Sequence, residues 1–303
     1  MNKFIGLTKR NMLVYFKDKS AVLFSMLTPI IVFSLYMIFI KQTYTGAIEN
    51  SAGALLDIMG AESADMLSNG LLLAGILGSA LITVPFNCLT TIVSDRENKI
   101  DFDISSTPIK RWQIILSYFC ASALSSIIMN LIILSAGIVA LCVSGDLYIS
   151  IGSIAAMAGF TCLGAISSSA IFLIVMMFFK STTASGAFMG ILSAVSGFLI
   201  GAYVPLSEYS AGLRGFCNIL PATGITNLYR DSLMNGLLNH IDDTVNGVDG
   251  GMFRKSIEEI FTFKTEIGGK LVSTEFTCYY IVVITMLALV AVGIIYPRIC
   301  RRK

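Results

Sequence analysis

The residues of this chain that could take part in recognition chemistry are concentrated in one short segment, residues 95–111. That segment holds four acidic and four basic side chains, whereas the flanking stretches 67–94 and 112–145 hold none. A plain connection between two helices needs only a few residues. We therefore expect this segment to form a docking surface for another protein; a solvated connector that only joins the two stretches is the alternative.

Residue types that support catalysis or metal binding are scarce elsewhere. His240 is the only histidine, which excludes a zinc site built from histidines. None of the seven cysteines forms a C-x-x-C pair, and most lie in apolar stretches as small fillers. A phosphate-binding P-loop needs G-x-x-x-x-G-K-[ST], and the only Gly-Lys pair, Gly269-Lys270, is followed by Leu271. The sequence therefore predicts no nucleotide site and no bound cofactor in this chain.

Six long stretches carry no charged residue, and each could cross a hydrocarbon core as a helix, which needs about 20 residues. In chain order, as spans 1 to 6, they are residues 20–40, 67–94, 112–145, 147–179, 181–207 and 276–297. A soluble domain carries roughly 25% charged residues, whereas this chain has 13% and a mean hydropathy of +0.79. We predict an all-α polytopic membrane protein with six transmembrane helices, in which residues 1–303 form one domain.

The distribution of charge predicts the orientation of the spans. If the spans alternate, one side of the membrane holds 14 of the 21 basic residues and the other holds 14 of the 19 acidic residues. The basic side comprises residues 1–19, 95–111, Lys180 and 298–303. The acidic side comprises residues 41–66, the turn at Asp146 and residues 208–275. Because Lys and Arg are enriched on the cytoplasmic side, we expect both termini in the cytoplasm of a bacterial cell and this chain in its plasma membrane.

Two segments are expected at the membrane interface. Residues 1–19 predict an amphipathic helix, with Lys3, Arg10 and Lys17 on one stripe. This helix is either a simple cytoplasmic anchor or an elbow helix that steers a partner. Residues 209–229 are apolar but short, and an arginine, a proline and several glycines interrupt them. They fit a re-entrant or interfacial helical hairpin between spans 5 and 6 better than a seventh span.

An ordered set of short motifs carries a resemblance to a known family. The motifs are Arg96-Glu97, Thr107-Pro108-Ile109-Lys110-Arg111, Tyr203-Val204-Pro205-Leu206-Ser207 and Leu220-Pro221-Ala222. With them, the chain resembles the permease subunit of a type-2 class ABC exporter, whose membrane fold is shared with the ABCG-like transporters. Many members have glycine soon after the Arg-Glu pair, where this chain has Lys99, and apolar residues where it has Asp101 and Asp103.

In that family the loop between spans 2 and 3 is a coupling helix that docks on a separate ATPase. The resemblance therefore implies a set of ATPase-coupling residues: Arg96, Glu97, Asp101, Asp103, Pro108, Lys110 and Arg111. It also implies that ATP and Mg are bound by the partner subunit. The working unit would contain two permease chains, identical or homologous, and two ATPase subunits in membrane lipid, with no nucleic acid partner.

The facing surfaces of spans 2 and 5 offer an apolar path with sparse polar points. Its candidate residues are Phe86, Asn87, Thr90, Phe188, Met189, Leu192 and Phe198. Such a path suits a hydrophobic or amphipathic substrate (a drug-like molecule, lipid or peptide), and the resemblance implies outward movement. Core packing is the alternative role for each of these side chains.

Span 5 also carries two stripes of small residues. One contains Gly186 and Gly190, and the other contains Gly197 and Gly201. Small residues four positions apart let helix backbones approach closely. We expect one stripe to face a second permease chain; packing within a single chain is the alternative.

Two other classes of membrane protein are less compatible with the sequence. An ion- or proton-coupled secondary transporter is the main alternative, but no acidic or basic residue lies in the middle of a span. The inverted repeats common in such carriers are not evident either. A membrane-embedded enzyme or sensor would need a catalytic cluster at membrane depth, and the sequence shows none.

Overall fold

A computed structural model describes residues 2–53, 61–144, 148–245 and 250–301. Within these residues, six helical segments are long and apolar enough to cross a membrane. They are Lys19–Ala52, Glu62–Glu97, Arg111–Val143, Ile151–Phe178, Thr182–Leu199 and Thr274–Tyr296. This confirms the predicted all-α polytopic membrane fold with six spans. The turn expected at Asp146 and part of the loop 41–66 lie outside the described residues.

The described secondary structure is almost entirely helical. The α-helices are α1 (Asn2–Lys17), α2 (Lys19–Leu35), α3 (Lys41–Ala52), α4 (Ala61–Glu97), α5 (Ile100–Ser106), α6 (Arg111–Ser144), α7 (Ile151–Phe178), α8 (Thr182–Leu199), α9 (Ala211–Ile219), α10 (Pro221–Val245), α11 (Met252–Ile260) and α12 (Thr274–Arg301). A π-helical turn at Tyr36–Ile40 joins α2 to α3, so span 1 is continuous. A 3-10 turn lies at Leu206–Glu208, and the short strands β1 (Glu266–Ile267) and β2 (Lys270–Leu271) pair antiparallel.

Span 2, formed by α4, is the central helix of the bundle. In its most apolar stretch 94% of the residues are buried, against 17–56% in the other spans. It packs against α2, α6, α7, α8 and α10. Two glycines allow α10 to come close: a Cβ on Gly70 would lie 2.0 Å from Met234 Cε, and one on Gly78 would lie 2.0 Å from Thr226 Oγ1. Small residues on α4 are therefore used for packing within the chain.

Span 5 is shorter than the apolar stretch 181–207 suggests. Its helix ends at Leu199, and Gly201 adopts a left-handed backbone with φ +67°. The N–H of Ala202 donates to Gly197 O at 2.7 Å, and the N–H of Gly201 donates to Phe198 O at 3.2 Å. This pattern is a Schellman motif, which satisfies the last helical carbonyls and stops the helix.

Residues 209–229 contain α9 and the start of α10, which form the predicted helical hairpin. Helix α10 packs its first half against α4 and α7, where Ile225 and Tyr229 are fully buried. Helix α9, in contrast, leaves Leu213 and Phe216 about half exposed. Helix α10 then continues to Val245, so the helix extends well past the predicted hairpin.

Candidate functional site

The segment between spans 2 and 3 contains a short helix, α5, that has no buried residue. Lys99 precedes it with a left-handed backbone, φ +62°. Glycine adopts this backbone conformation without steric cost, whereas a residue with a Cβ atom adopts it at a steric cost. This left-handed turn therefore gives a physical reason for the glycine that the family resemblance led us to expect at this point. Phe102 and Asp103 are exposed on the helix, so α5 presents a mixed apolar and acidic surface.

The predicted coupling residues separate into two groups. Asp103, Pro108, Lys110 and Arg111 are exposed, and Asp101 is half-buried. The remaining two residues, Arg96 and Glu97, make hydrogen bonds within the chain. Glu97 is exposed as well, so five of the seven predicted coupling residues lie on the surface of this segment.

Arg96 and Glu97 hold the end of span 2 against the turn between spans 4 and 5. Arg96 Nη1 donates to Met177 O at 3.1 Å. Glu97 Oε2 accepts hydrogen bonds from the Thr182 backbone N–H at 2.9 Å and from its hydroxyl at 2.6 Å. A carboxylate at a helix N-terminus is favoured because it pairs with free N–H groups and with the helix dipole. The coupling segment is thereby attached directly to span 5.

A buried polar cluster attaches α1 to the other side of the same segment. Asp95 is 3% exposed and accepts hydrogen bonds from both terminal nitrogens of Arg10, with Nη2 2.8 Å from Oδ1. The Tyr118 hydroxyl donates to Asp95 Oδ2. Beside them, Asn11 Nδ2 donates to Ser117 Oγ at 3.2 Å. A buried charge needs such partners, so this cluster fixes α1 to spans 2 and 3.

Next to this coupling region, a cleft of about 640 Å³ opens between α2, α4 and α8. Helix α2 contributes an apolar wall that contains Phe24, Leu27 and Ile31. Helices α4 and α8 contribute polar side chains, listed here: Asn87, Thr90, Ser94, Thr182, Ser185 and Ser193. The cleft is therefore apolar on one side and polar on the other.

Asp18 lies at the end of this cleft beside the break between α1 and α2. Its carboxylate caps α2 by accepting from the backbone N–H groups of Ser20 at 3.0 Å and Ala21 at 3.1 Å. The hydrogen bond from the Ser20 hydroxyl, followed by these backbone bonds, lowers the pKa of Asp18. The lining of the cleft thus carries a fixed negative charge at Asp18.

Comparison with known families identifies the chain. The family model for the ABC-2 family transporter proteins matches residues 49–297, which include α5 and five of the six spans in full. The chain belongs to the ABC-2 family. It is an ABC-2 type permease, a membrane component without an ATP site of its own, and its family implies an ABC ATPase as partner. No curated protein sequence matches the chain.

The seven residues predicted for the path through this ABC-2 permease do not all lie together. Asn87, Thr90 and Met189 line the cleft. Phe86 is fully buried and stacks on Phe188, with ring centroids 5.7 Å apart, inside an aromatic cluster.

The other two path residues are not part of the cleft lining. Leu192 is half-buried against the apolar core between spans 2 and 4. Phe198 is 48% exposed near the far end of span 5, where its ring edge contacts Tyr203. Three of the seven predicted residues therefore line the cleft, and the others pack around it or beyond it.

The two glycine stripes of span 5 have different surroundings. A Cβ on Gly197 would lie 2.3 Å from the Tyr203 ring, and Gly201 forms the left-handed end of the helix. Both of these glycines are used by contacts within the chain. Gly186 and Gly190 line the cleft, and a Cβ on either would meet nothing within 4 Å. Of the two stripes, Gly186 and Gly190 have the room that a second chain would need.

Sequence reasoning missed Arg230, which is 3% exposed. Its guanidinium donates to Ile200 O at 2.9 Å and Gly201 O at 2.7 Å, at the end of span 5. It also donates to Phe261 O at 3.1 Å, beyond α11. Because the last carbonyls of a helix lack partners and carry partial negative charge, Arg230 caps span 5 and fixes it to the following segment. The signal in the sequence is an arginine after the otherwise uncharged start of α10.

Proposed function

We propose that this ABC-2 permease is the membrane-spanning subunit of an ATP-driven exporter. It moves a hydrophobic or amphipathic substrate, such as a drug-like molecule, lipid or peptide, outward across a bacterial plasma membrane. A separate ABC ATPase binds ATP and Mg and supplies the energy. Both termini lie in the cytoplasm, and residues 208–275 lie outside.

The cleft between spans 1, 2 and 5 is the observation that carries this proposal. Its volume of about 640 Å³ falls in the range of 300–1,000 Å³ that is common for small-molecule sites. The apolar wall of α2 accommodates the apolar part of a substrate, and the hydroxyl and amide groups of α4 and α8 accommodate a polar part. The Asp18 carboxylate at one end favours an amphipathic molecule with a cationic group.

The contacts around the coupling segment supply a route from the ATPase to this cleft. A force on α5 reaches span 5 through Glu97 and Thr182, whose hydrogen bonds are 2.6 and 2.9 Å long. It reaches α1 through Asp95 and Arg10. Because the Glu97–Thr182 bonds join α4 and α8, which both line the cleft, displacement of α5 changes the spacing of these two helices and so the shape of the cleft.

Two permease chains complete the transporter. The open Gly186 and Gly190 surface lies beside α2, on the side of the bundle where span 5 is only partly covered, with 28% of its most apolar stretch buried. Close approach of a second chain along this stripe would bury the surface and enclose the cleft between the two chains.

The test is export by the purified complex of permease and ATPase in proteoliposomes, with rhodamine 6G as a cationic amphipathic probe. We expect ATP-dependent export that Met189→Trp reduces strongly, because the larger side chain occupies the cleft. The matched control is Ile191→Trp, since Ile191 is 64% exposed on the same helix and does not line the cleft. Transport that follows an imposed proton gradient without ATP would instead support a secondary transporter.

A further inference from the structure

A second cavity, of about 600 Å³, lies in the segment between spans 5 and 6. Its walls come mainly from α9, α11 and the β1–β2 hairpin, and neither the coupling contacts nor the cleft uses it. Its charged and polar walls include Arg214, Asn218, Lys255, Glu259, Lys264 and Glu266. Both signs of charge therefore face the same cavity.

Most of these charges are already paired. Arg214 Nε lies 2.7 Å from Glu266 Oε2, and Lys264 Nζ lies 3.3 Å from Glu258 Oε2. Within the described part of the chain, Lys255 and Glu259 have no ion-pair partner. They are four residues apart on α11, so their Cβ atoms are neighbours at about 5–6 Å. The cavity thus offers one available cation beside one available anion.

Asn218 adds a hydrogen-bond acceptor that has no donor. Its side chain lines the cavity and is 4% exposed, and its Oδ1 atom accepts no hydrogen bond. Buried polar atoms are nearly always paired because an unpaired one loses its hydration without compensation. A ligand with an N–H donor, such as a primary ammonium group, would satisfy this oxygen.

The position of α9 places the cavity at the level of lipid headgroups. The face of α9 away from the cavity exposes Leu213, Phe216 and Ile219 by 49–59%. The Tyr280 hydroxyl donates to Ile219 O at 2.8 Å, which ties α9 to the start of span 6. Tyr279, beside it, is 66% exposed. Amphipathic helices and aromatic side chains at span ends mark the membrane–water interface.

We propose that this cavity binds the zwitterionic headgroup of a phospholipid with a primary ammonium group, as in phosphatidylethanolamine. Lys255 pairs with the phosphate, and Glu259 and Asn218 accept hydrogen bonds from the ammonium group. A quaternary ammonium group, as in phosphatidylcholine, has no N–H to donate to Asn218. The outer leaflet follows from the orientation proposed above, whereas binding itself does not depend on it.

Native mass spectrometry of the full chain in neutral detergent tests this site with four probes. The probes are the dihexanoyl forms of phosphatidylethanolamine, phosphatidylcholine and phosphatidylglycerol, and free phosphoethanolamine. We expect phosphatidylethanolamine to bind at least about tenfold more tightly than the other two lipids. Its primary ammonium group donates a charge-assisted hydrogen bond that the other two headgroups lack. Equal binding of the three lipids would overturn the proposal. Equally tight binding of free phosphoethanolamine would make a soluble zwitterion the ligand and refute the lipid assignment.

Two variants, each of which removes one positive charge, test where the lipid binds. Lys255→Gln should weaken binding of dihexanoyl phosphatidylethanolamine about tenfold. Lys270→Gln, in β2 but outside the cavity lining, should leave it unchanged. Lys255 and Lys270 are both exposed, so both variants should fold. The same effect from both substitutions, or from neither, would show that the lipid binds elsewhere.

Discussion

The strongest stability prediction concerns the buried pair of Arg10 and Asp95. The substitution Arg10→Met keeps an unbranched apolar stem but removes both hydrogen bonds that Arg10 donates to Asp95. The Asp95 carboxylate is 4% exposed and keeps only the Tyr118 hydroxyl as a donor. Breaking a buried pair costs about 3–5 kcal/mol. Since the Arg10 side chain is 33% exposed, we expect the lower end, about 3 kcal/mol.

Equilibrium unfolding in SDS measures this change in the free energy of unfolding. Trp112 is the only tryptophan, and it lies near the cluster at the start of span 3, so its fluorescence reports on this region. The matched control is Lys9→Met, because Lys9 is exposed on the same helix. We expect a large loss for Arg10→Met and almost none for Lys9→Met. Equal stabilities for the two variants would refute the claim that the pair fixes α1 to the bundle.

Three further predictions test the turn, the chain contact and the orientation. Lys99→Gly should stabilise the protein by about 1 kcal/mol in the same unfolding assay, because it relieves the left-handed backbone; a loss of stability would contradict the strain argument. Gly186→Leu should lower the dimer fraction in detergent more than Gly159→Leu, at another glycine whose Cβ would meet nothing within 4 Å; equal fractions would exclude the Gly186 surface as the contact. In a chain without native cysteines, Lys264→Cys should react with an impermeant maleimide from outside and Ser105→Cys only from the cytoplasm; the reverse pattern would invert the topology.

The number and order of the spans could be predicted from the sequence because apolar length alone decides whether a helix can cross a membrane. The exposed position of α5 was also predictable, since a densely charged segment between two apolar stretches remains in water. The residue at which span 5 ends was harder to predict from the sequence. The stretch 181–207 stays uncharged, but the left-handed backbone at Gly201 stops the helix, and composition does not report that conformation.

The polar contacts of the site could not be predicted because they join residues far apart in the chain. Arg10 and Asp95 are separated by 85 positions, and Arg230 lies 30 positions from Ile200. Periodicity put Arg10 on a basic stripe but could not show which neighbour it meets. Periodicity likewise could not show that Glu97, which the resemblance assigns to ATPase coupling, accepts hydrogen bonds from Thr182.

The central claim is that α5 couples this ABC-2 permease to an ATPase. The direct measurement is ATP hydrolysis by the complex purified from its native membrane through a tag on the permease. We expect hydrolysis to copurify with the unmodified chain, to be lost with Asp103→Arg on exposed α5, and to persist with Glu208→Arg, a charge reversal between α8 and α9. Full hydrolysis with Asp103→Arg, or none with the unmodified chain, would contradict the account.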